Sequence, residues 1–149
     1  MSKLIILSGI PGAGKTTYAH HIESSKVVSN DEIRFKMTGG CFPGQFIWDH
    51  LPILRKQFKE VIKDVGRDSV VVLDSTMLTN KRRIACFNRF KNYFDEIELH
   101  IFVPNLDKSI KQNSMRDRVV PLKQIQKMYD EFEYPDDYVI QNFKIFYIF

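Results

Sequence analysis

The sequence predicts an α/β fold in which a parallel β-sheet is flanked by helices, because three observations agree. Strand-like and helix-like segments alternate from the start of the chain, as they do when helices connect parallel strands. Residues 4–7 (LIIL) and 70–74 (VVVLD) are almost continuously aliphatic, which is typical of strands that are covered on both faces. A glycine-rich loop follows the first of these runs and leads directly into a helical pattern.

The other elements are predicted from local composition. Asn30 is suited to cap a helix that begins there, and residues 38–44 (TGGCFPG) have the composition of a turn. Pro52 restricts the first turns of the longest helical pattern, whereas Pro121 suits the first turn of a later helix. The predicted elements are helices over 16–24, 30–37, 45–65, 80–94, 105–118 and 121–132, and strands over 4–7, 26–29, 70–74, 97–104 and 137–149.

Length and composition predict one globular domain over residues 1–149. This length is sufficient for a substantial core, and no repeat, linker or low-complexity segment divides the chain. A hydrophobic fraction of 44% with 12 phenylalanines argues against an intrinsically disordered chain. The formal net charge of +4 is compatible with an anionic ligand, but many soluble enzymes carry as much.

Cysteine usage and hydropathy predict a cytoplasmic protein, of the host cell if it is viral. Cys41 and Cys86 lack the close spacing of metal ligands, so a reduced compartment is expected. Cys86 lies in a helical pattern and is predicted to be a core residue. The longest apolar run is far shorter than the roughly 20 residues that span a bilayer, and the first residues have no signal-peptide pattern. No membrane association is expected.

Residues 9–17 (GIPGAGKTT) match the phosphate-binding pattern G-x-x-x-x-G-K-[ST] without mismatch, between the strand and the helix that this motif requires. Glycines let the backbone wind tightly, so that N–H groups face phosphate oxygens at the positive end of a helix. The motif predicts a P-loop NTPase-type fold that binds ATP, or another NTP, with Mg²⁺. Lys15 neutralises β- and γ-phosphate charge, and the Thr16 hydroxyl can bind the metal. The residues expected to bind the nucleotide here are Gly9, Pro11, Gly12, Ala13, Gly14, Lys15, Thr16 and Thr17.

Asp31 is the candidate acid for the group that receives the phosphate. It follows the second predicted strand, and the carboxyl ends of parallel strands line one crevice, so it should face the P-loop. A kinase needs such an acid to orient or deprotonate the acceptor hydroxyl. Arg34 lies one helical turn later and is placed to bind a phosphate or another anion. Acidic residues also favour helix N-termini whatever their function, and we assign Glu32 to that role.

Asp74 ends a buried strand, which is the usual position of an acid that organises Mg²⁺ and its water shell. The alternative is an aspartate that only ends a strand at a turn. Ser75 and Thr76 follow directly. They carry no charge and either cap the next helix or contact the acceptor.

The order of these motifs resembles the 5′-hydroxyl polynucleotide kinase family. The shared series is GxPGxGKTT, NDEIR, LDST with KRR beyond it, and KQNSMR with VVP, in order over roughly residues 4–132. The last two blocks are the specific part of the likeness, because the P-loop is shared by many families. The resemblance implies an ATP-dependent, Mg²⁺-dependent kinase that phosphorylates the 5′-hydroxyl of DNA or RNA in nucleic acid repair.

The resemblance also implies residue roles. Asp31 matches the family's general base, and Arg34 matches the arginine that holds the 3′-phosphate of the acceptor. Asp74 matches the acid after the third strand, and Arg116 matches a lid arginine that engages the donor phosphates. The P-loop lysine and hydroxyl match as well.

A basic segment over approximately residues 112–121 is expected to form a lid. Such segments close over the donor in P-loop kinases, exclude water and stabilise the transferring charge. Bacteriophage members of the family carry a second lid arginine where this chain has Gln112. Either the donor is held less tightly, or Arg118 or Lys111 compensates. No DxDGT phosphatase motif follows, so 3′-phosphatase activity is not expected.

The acceptor stays open between classes. A kinase for another hydroxyl, on a nucleoside, a hydroxymethylated base or a small metabolite, would use the same core chemistry. Residues 36–63 would decide between these acceptors, since their aromatic and basic side chains either bind single strands or form core and solvated surface. A non-catalytic nucleotide-dependent switch is the third interpretation. A homo-oligomer and a separate phosphatase or ligase partner also stay open.

Overall fold

The computed structural model describes residues 1–23, 25–38, 50–116 and 119–149. The strands of this part are β1 (Lys3–Ser8), β2 (Ser25–Ser29), β3 (Val70–Asp74), β4 (Glu96–Phe102) and β5 (Lys144–Ile148). The helices are α1 (Lys15–His20), α2 (Asn30–Thr38), α3 (His50–Ile62), α4 (Asn80–Phe90), α5 (Leu106–Ser114), α6 (Leu122–Glu131) and α7 (Asp137–Asn142). The strands form one sheet in the order β2-β3-β1-β4-β5, and every pairing is parallel. The predicted α/β class is confirmed.

β1 lies at the centre of the sheet, since it pairs with β3 on one side and with β4 on the other. Leu4 and Ile6 face the larger hydrophobic core, which also contains side chains of α3, α4 and α7. Ile5 and Leu7 face a smaller core that includes Ala19 of α1. The continuous aliphatic run of β1 therefore reflects burial on both faces.

The sheet topology places the P-loop at the point where ligands bind in open α/β folds. All strands run in the same direction, so their carboxyl ends share one edge. The chain adds β2 and β3 on one side of β1 and then crosses to add β4 and β5 on the other. The loop after β1 lies at this reversal, where a crevice opens outside the strand ends.

Several predicted helix ends are wrong by a few residues. α1 ends at His20 rather than at residue 24, because the His21 N–H donates to the carbonyls of Tyr18 and Ala19. α4 ends at Phe90 rather than at residue 94. Asn30 is the first residue of α2 and not its cap. The predicted turn at 39–44 and the first residues of the predicted helix at 45–49, including Cys41, lie outside the described residues.

The strand predicted over 137–149 is the largest correction, since its first half is the helix α7. The Asp136 carboxylate accepts a hydrogen bond of 3.0 Å from the Val139 N–H and so caps this helix. Val139 is fully buried, and Phe143 is nearly so. The chain then continues as the edge strand β5.

Among the described helices, none combines the length and the apolar composition that crossing a membrane requires. Cys86 is fully buried in α4, as predicted.

Candidate functional site

The P-loop lies between β1 and α1 and packs against α5. Gly12 and Gly14 have φ angles of 81° and 90°, a left-handed conformation that glycine adopts without strain. A Cβ atom at Gly12 would lie 2.3 Å from the carbonyl oxygen of Ser109 in α5. The positive φ angle and the close approach to α5 therefore both require glycine at position 12.

Lys15 lies within the loop, and its ammonium group is held by backbone carbonyls. Its Nζ donates to the carbonyl oxygens of Gly9 at 2.7 Å and of Ser75 at 3.3 Å. Burial lowers the pKa of Lys15, the carboxylates of Asp74 and Asp31 oppose that shift, and Arg116 adds to it. Charged groups from four separate segments of the sequence thus lie within electrostatic reach of one another.

Thr16 and Asp74 form the second contact between the P-loop and the sheet edge. The Thr16 Oγ1 donates to the Asp74 Oδ2 at 2.9 Å. Hydroxyl and carboxylate oxygens are ligands that suit Mg²⁺, which binds one or two carboxylates together with phosphate and water. The described residues contain no group of three or more His, Cys, Asp or Glu side chains that could enclose a metal. The donor set fits a Mg²⁺ ion that is shared with a nucleotide.

Asp31 and Arg34 form an ion pair in the first turn of α2. The Arg34 Nη1 donates to the Asp31 Oδ1 at 3.2 Å, and 47% of the Asp31 side chain stays exposed. Behind them, the Gln57 side chain of α3 donates to the Asn30 Oδ1 at 2.6 Å. The Ser29 Oγ accepts from the Glu32 N–H at 3.4 Å and takes the capping position predicted for Asn30.

One cleft of about 1270 Å³ is lined by every predicted site residue that the structure describes except Gly9. The P-loop, the start of α2, the end of β3, the end of α5 and one side of α6 form its walls. The predicted residues that line it are Pro11, Gly12, Ala13, Gly14, Lys15, Thr16, Thr17, Asp31, Arg34, Asp74, Ser75, Thr76 and Arg116. Arg118 lies outside the described residues.

Ser75 and Thr76 do not cap the next helix. The Thr79 Oγ1 caps α4 by accepting from the Arg82 N–H at 3.3 Å. The Ser75 hydroxyl is buried and donates to the Leu7 carbonyl oxygen at 3.0 Å. Thr76 is partly exposed in the cleft, and its carbonyl accepts from the Gly9 N–H at 2.9 Å. Acceptor contact by Thr76 therefore stays a prediction, whereas the Ser75 side chain has a structural partner.

The two ends of the predicted lid are joined by Asn113, which is nearly buried at the end of α5. Its Nδ2 donates to the Val120 carbonyl at 2.8 Å, and its Oδ1 accepts from the Val120 N–H at 3.0 Å. Arg116 follows, half-buried and facing the cleft. Gln112 lies beside the P-loop, with its Oε1 3.9 Å from the position of a Cβ atom on Gly14. Gln112, which replaces the expected lid arginine, thus lies next to the loop predicted to bind the donor nucleotide.

Sequence reasoning missed two buried polar groups beside the cleft. Arg83 is fully buried, although it lies in a run of three basic residues. Its position three residues before Cys86 and seven before Phe90 places it on the buried face of α4, a periodicity that could have identified it. His100 is also buried, and its Nδ1 lies 2.6 Å from the hydroxyl of Tyr18 in α1.

The basic surface predicted within 36–63 is only partly described. Arg55, Lys56 and Lys59 are exposed on α3, and none of them lines the described part of the cleft. The aromatic residues at positions 42, 46 and 48 lie outside the described residues. The described part of this region therefore presents a solvated basic face.

Comparisons with known proteins agree on the fold and differ in the acceptor. A family model, AAA_33, described as an AAA domain, matches residues 4–135. An L-seryl-tRNA(Sec) kinase from Methanococcus maripaludis is 26% identical over 145 residues, covering 89% of this chain and 53% of that protein. This chain therefore spans about half the length of that relative.

Two solved structures show the same fold. The structure of the Pnkp1/Rnl/Hen1 RNA repair complex has a TM-score of 0.72 at 20% identity, covering 96% of this chain and 46% of that chain. A gluconokinase from Sinorhizobium meliloti 1021 has a TM-score of 0.64 at 15% identity, covering 98% of this chain and 81% of that one. These likenesses confirm the predicted P-loop fold.

Proposed function

We propose a function from one premise, that this chain belongs to the AAA domain family AAA_33. The function is transfer of the γ-phosphate of ATP to the 5′-hydroxyl end of DNA or RNA. The observation that carries the proposal is the placement of Asp31 and Arg34 in the same cleft as the P-loop. A cleft with a donor loop on one side and an acid beside a cation on the other suits a hydroxyl kinase.

On the donor side, the P-loop amides bind the β- and γ-phosphates and Lys15 neutralises their charge. The carbonyls of Gly9 and Ser75 now hold the Lys15 ammonium within the loop, close to where phosphate oxygens would lie. Thr16 and Asp74 would hold Mg²⁺, which neutralises charge on the phosphates when it is bound. Arg116 adds a second cation from the lid.

On the acceptor side, Asp31 accepts the proton of the 5′-hydroxyl while the acceptor oxygen attacks the γ-phosphorus. The bond to the β-phosphate oxygen breaks on the opposite side, and ADP leaves in a direct in-line transfer without a phosphoenzyme. Arg34 binds the 3′-phosphate of the acceptor. A guanidinium group has five N–H donors, so Arg34 can keep its contact with Asp31 and also bind a phosphate.

A kinase for a different hydroxyl is the second candidate. The sequence relative is named a seryl-tRNA kinase, and one structural neighbour is a gluconokinase. The P-loop, Asp74 and Asp31 would keep their roles with such an acceptor, whereas Arg34 would no longer bind a 3′-phosphate. The neighbour in an RNA repair complex supports the nucleic acid acceptor, and also a separate partner protein.

A transfer assay with labelled ATP tests the proposal. The acceptors are a 5′-hydroxyl single-stranded oligonucleotide, a nucleoside 3′-monophosphate, the matching nucleoside and gluconate. Wild type is compared with Asp31→Ala, and with Glu32→Ala as the neighbouring acid on the same helix. We expect transfer to the oligonucleotide and the 3′-monophosphate that Asp31→Ala abolishes and Glu32→Ala retains.

Two results would change the conclusion. Equal transfer to the nucleoside with and without a 3′-phosphate, unaffected by Arg34→Ala, would favour the second candidate. ATP turnover without transfer to either nucleic acid acceptor would exclude the polynucleotide function.

A further inference from the structure

The side chain of Arg83 makes more hydrogen bonds within the protein than an arginine on the solvated face of a helix would need. Its side chain is completely buried in α4, and the ring of Phe132 lies 5.4 Å from its Cζ atom. A guanidinium group has five N–H donors, and here it makes five hydrogen bonds. Its acceptors are the carbonyls of Met77 (3.0 Å), Leu78 (3.2 Å) and Glu133 (2.7 Å), the Asn80 Oδ1 (2.8 Å) and the Ser8 Oγ (3.1 Å).

Apart from Asn80 in α4 itself, these acceptors belong to three segments that adjoin residues lining the cleft. Ser8 is the last residue of β1, directly before the P-loop. Met77 and Leu78 lie in the loop between β3 and α4, directly after Thr76. Glu133 follows α6, the helix that begins where the predicted lid ends. Arg83 is thus bonded to the residue that precedes the donor loop, to the loop after Asp74 and to the segment that follows α6.

Further contacts connect the same three segments to one another. The Ser8 hydroxyl donates to the Met77 carbonyl at 2.8 Å, and the Glu133 N–H donates to the Leu78 carbonyl at 2.9 Å. The Asn80 Nδ2 donates to the carbonyl of Tyr134 at 3.0 Å. Removal of the Arg83 guanidinium would leave carbonyls from two of these segments without that donor.

The loop between β3 and α4 needs such support because its backbone is strained. Met77 has a φ angle of 43°, in the left-handed region that non-glycine residues rarely adopt. Residues in this region persist only where surrounding contacts hold them. The Met77 carbonyl accepts hydrogen bonds from both Ser8 and Arg83. In the same loop, the Thr76 carbonyl bonds to the Gly9 N–H of the P-loop.

We propose that Arg83 is a positioning residue, which fixes the loop bearing Thr76 and the end of α6 relative to the P-loop. Arg83 does not itself line the cleft, so it acts on substrates only through these segments. The inference deepens the proposed kinase function and rests on it for its kinetic test. Loss of the guanidinium is expected to loosen the acceptor side and the lid, while the P-loop contacts with the donor phosphates stay.

The experiment compares Arg83→Lys with Arg89→Lys, a matched change six residues later in the same helix, at a position that does not line the cleft. Lysine keeps the charge at position 83 but has one nitrogen in place of three. We expect Arg83→Lys to lower kcat/KM for the oligonucleotide by about tenfold or more, with the Kd for MgADP changed by less than about threefold. Arg89→Lys should behave as wild type in both measurements.

Asn80→Ala is the second variant, for the case that Arg83→Lys does not fold. It removes the bonds of Asn80 to Arg83 and to Tyr134, but leaves the buried guanidinium in place. We expect a smaller loss of kcat/KM for the acceptor than in Arg83→Lys, in the same direction. The proposal is overturned if Asn80→Ala, or a folded Arg83→Lys, has a lower melting temperature but the kinetic constants of wild type.

Hydrogen exchange separates failure of this inference from failure of the proposed function, because it needs no acceptor. We expect faster amide exchange in Arg83→Lys over residues 75–79 and 132–134 and at Gly9, but unchanged exchange in β4. Faster exchange confined to α4 would overturn the positioning role. A wild-type protein that transfers no phosphate to the oligonucleotide would refute the proposed function and leave this exchange test in force.

Discussion

The hydroxyl of Thr16 donates to the carboxylate of Asp74 at 2.9 Å, although 58 positions separate the two residues in the sequence. The contact exists because β3 pairs with β1 in parallel, so that the end of β3 lies beside the loop that follows β1. It joins the donor loop to the acid expected to organise Mg²⁺. The pair is therefore the first place to test the metal.

Asp74→Asn should remove metal binding while it preserves the fold. The amide oxygen can still accept from Thr16, but it carries no charge for Mg²⁺. We expect kcat to fall by about a hundredfold and the Mg²⁺ concentration at half-maximal activity to rise. Activity measured against Mg²⁺ concentration checks this, and an unchanged Mg²⁺ dependence would exclude Asp74 from the metal site.

Gly12→Ala should destabilise the protein by about 2 kcal/mol or more. A Cβ atom there would lie 2.3 Å from the Ser109 carbonyl, and the φ angle of 81° disfavours any side chain. Gly66→Ala is the matched control, because nothing lies within 4 Å of its Cβ position. Restricting the unfolded chain should make that control neutral or stabilising by about 0.5 kcal/mol. Urea denaturation measures both free energies of unfolding, and equal effects would contradict the close packing of Gly12.

Stability should fall on acidification below about pH 6.5, through His100. Burial lowers the pKa of His100 below its usual 6.5, although Glu98 opposes the shift. The folded state therefore holds fewer protons than the unfolded state. The stabilisation is present above pH 6.5 and is lost as the pH falls through the lowered pKa. Glu98 acts in the same direction at lower pH, since burial raises its pKa but hydrogen bonds from His100 and Lys3 lower it overall.

Thermal unfolding between pH 5 and pH 8 measures this dependence. His100→Gln should flatten the decline in melting temperature toward acid, whereas the same change at the exposed His20 should leave it as in wild type. A wild-type melting temperature that does not change from pH 7 to pH 5 would contradict the predicted loss of stability through His100.

Gln112→Arg should tighten ATP binding. Gln112 lies beside Gly14 of the P-loop, and an arginine there adds a cation close to the donor phosphates. We expect the KM for ATP to fall by about three- to tenfold, with less effect on the KM for the acceptor. Gln126→Arg, on an exposed position of α6, controls for the added net charge. An equal effect of both changes would mean that overall charge, not the lid position, is responsible.

Much of the site could be predicted from the sequence because its signals are local. The P-loop depends on residues 9–17 and on the strand and helix beside them, all adjacent in the chain. Asp31 and Asp74 could be placed near it because parallel strands end at one edge. These predictions needed the direction of the strands but not their order in the sheet.

Other features could not be predicted because their partners are distant in sequence. The tail at 137–149 contains β-branched and aromatic residues that suit a strand, yet Val139 and Phe143 pack into the main core and Asp136 caps the helix α7. The sequence allows two roles for the Ser75 hydroxyl, whose partner in the structure is the Leu7 carbonyl. The burial of Arg83 could follow from its helical periodicity, but its acceptors include Glu133 and Ser8, which lie 50 and 75 positions away in the sequence.

Local sequence patterns specify the α/β class, the phosphate-binding loop and the charged residues that follow the strands. Which of these residues meet depends on the folded sheet, because the order β2-β3-β1-β4-β5 brings the ends of distant strands together. The folded sheet also determines which polar side chains have internal partners and which face the cleft. Local patterns specify backbone conformation, whereas burial and hydrogen-bond partners depend on segments that become neighbours only when the sheet forms.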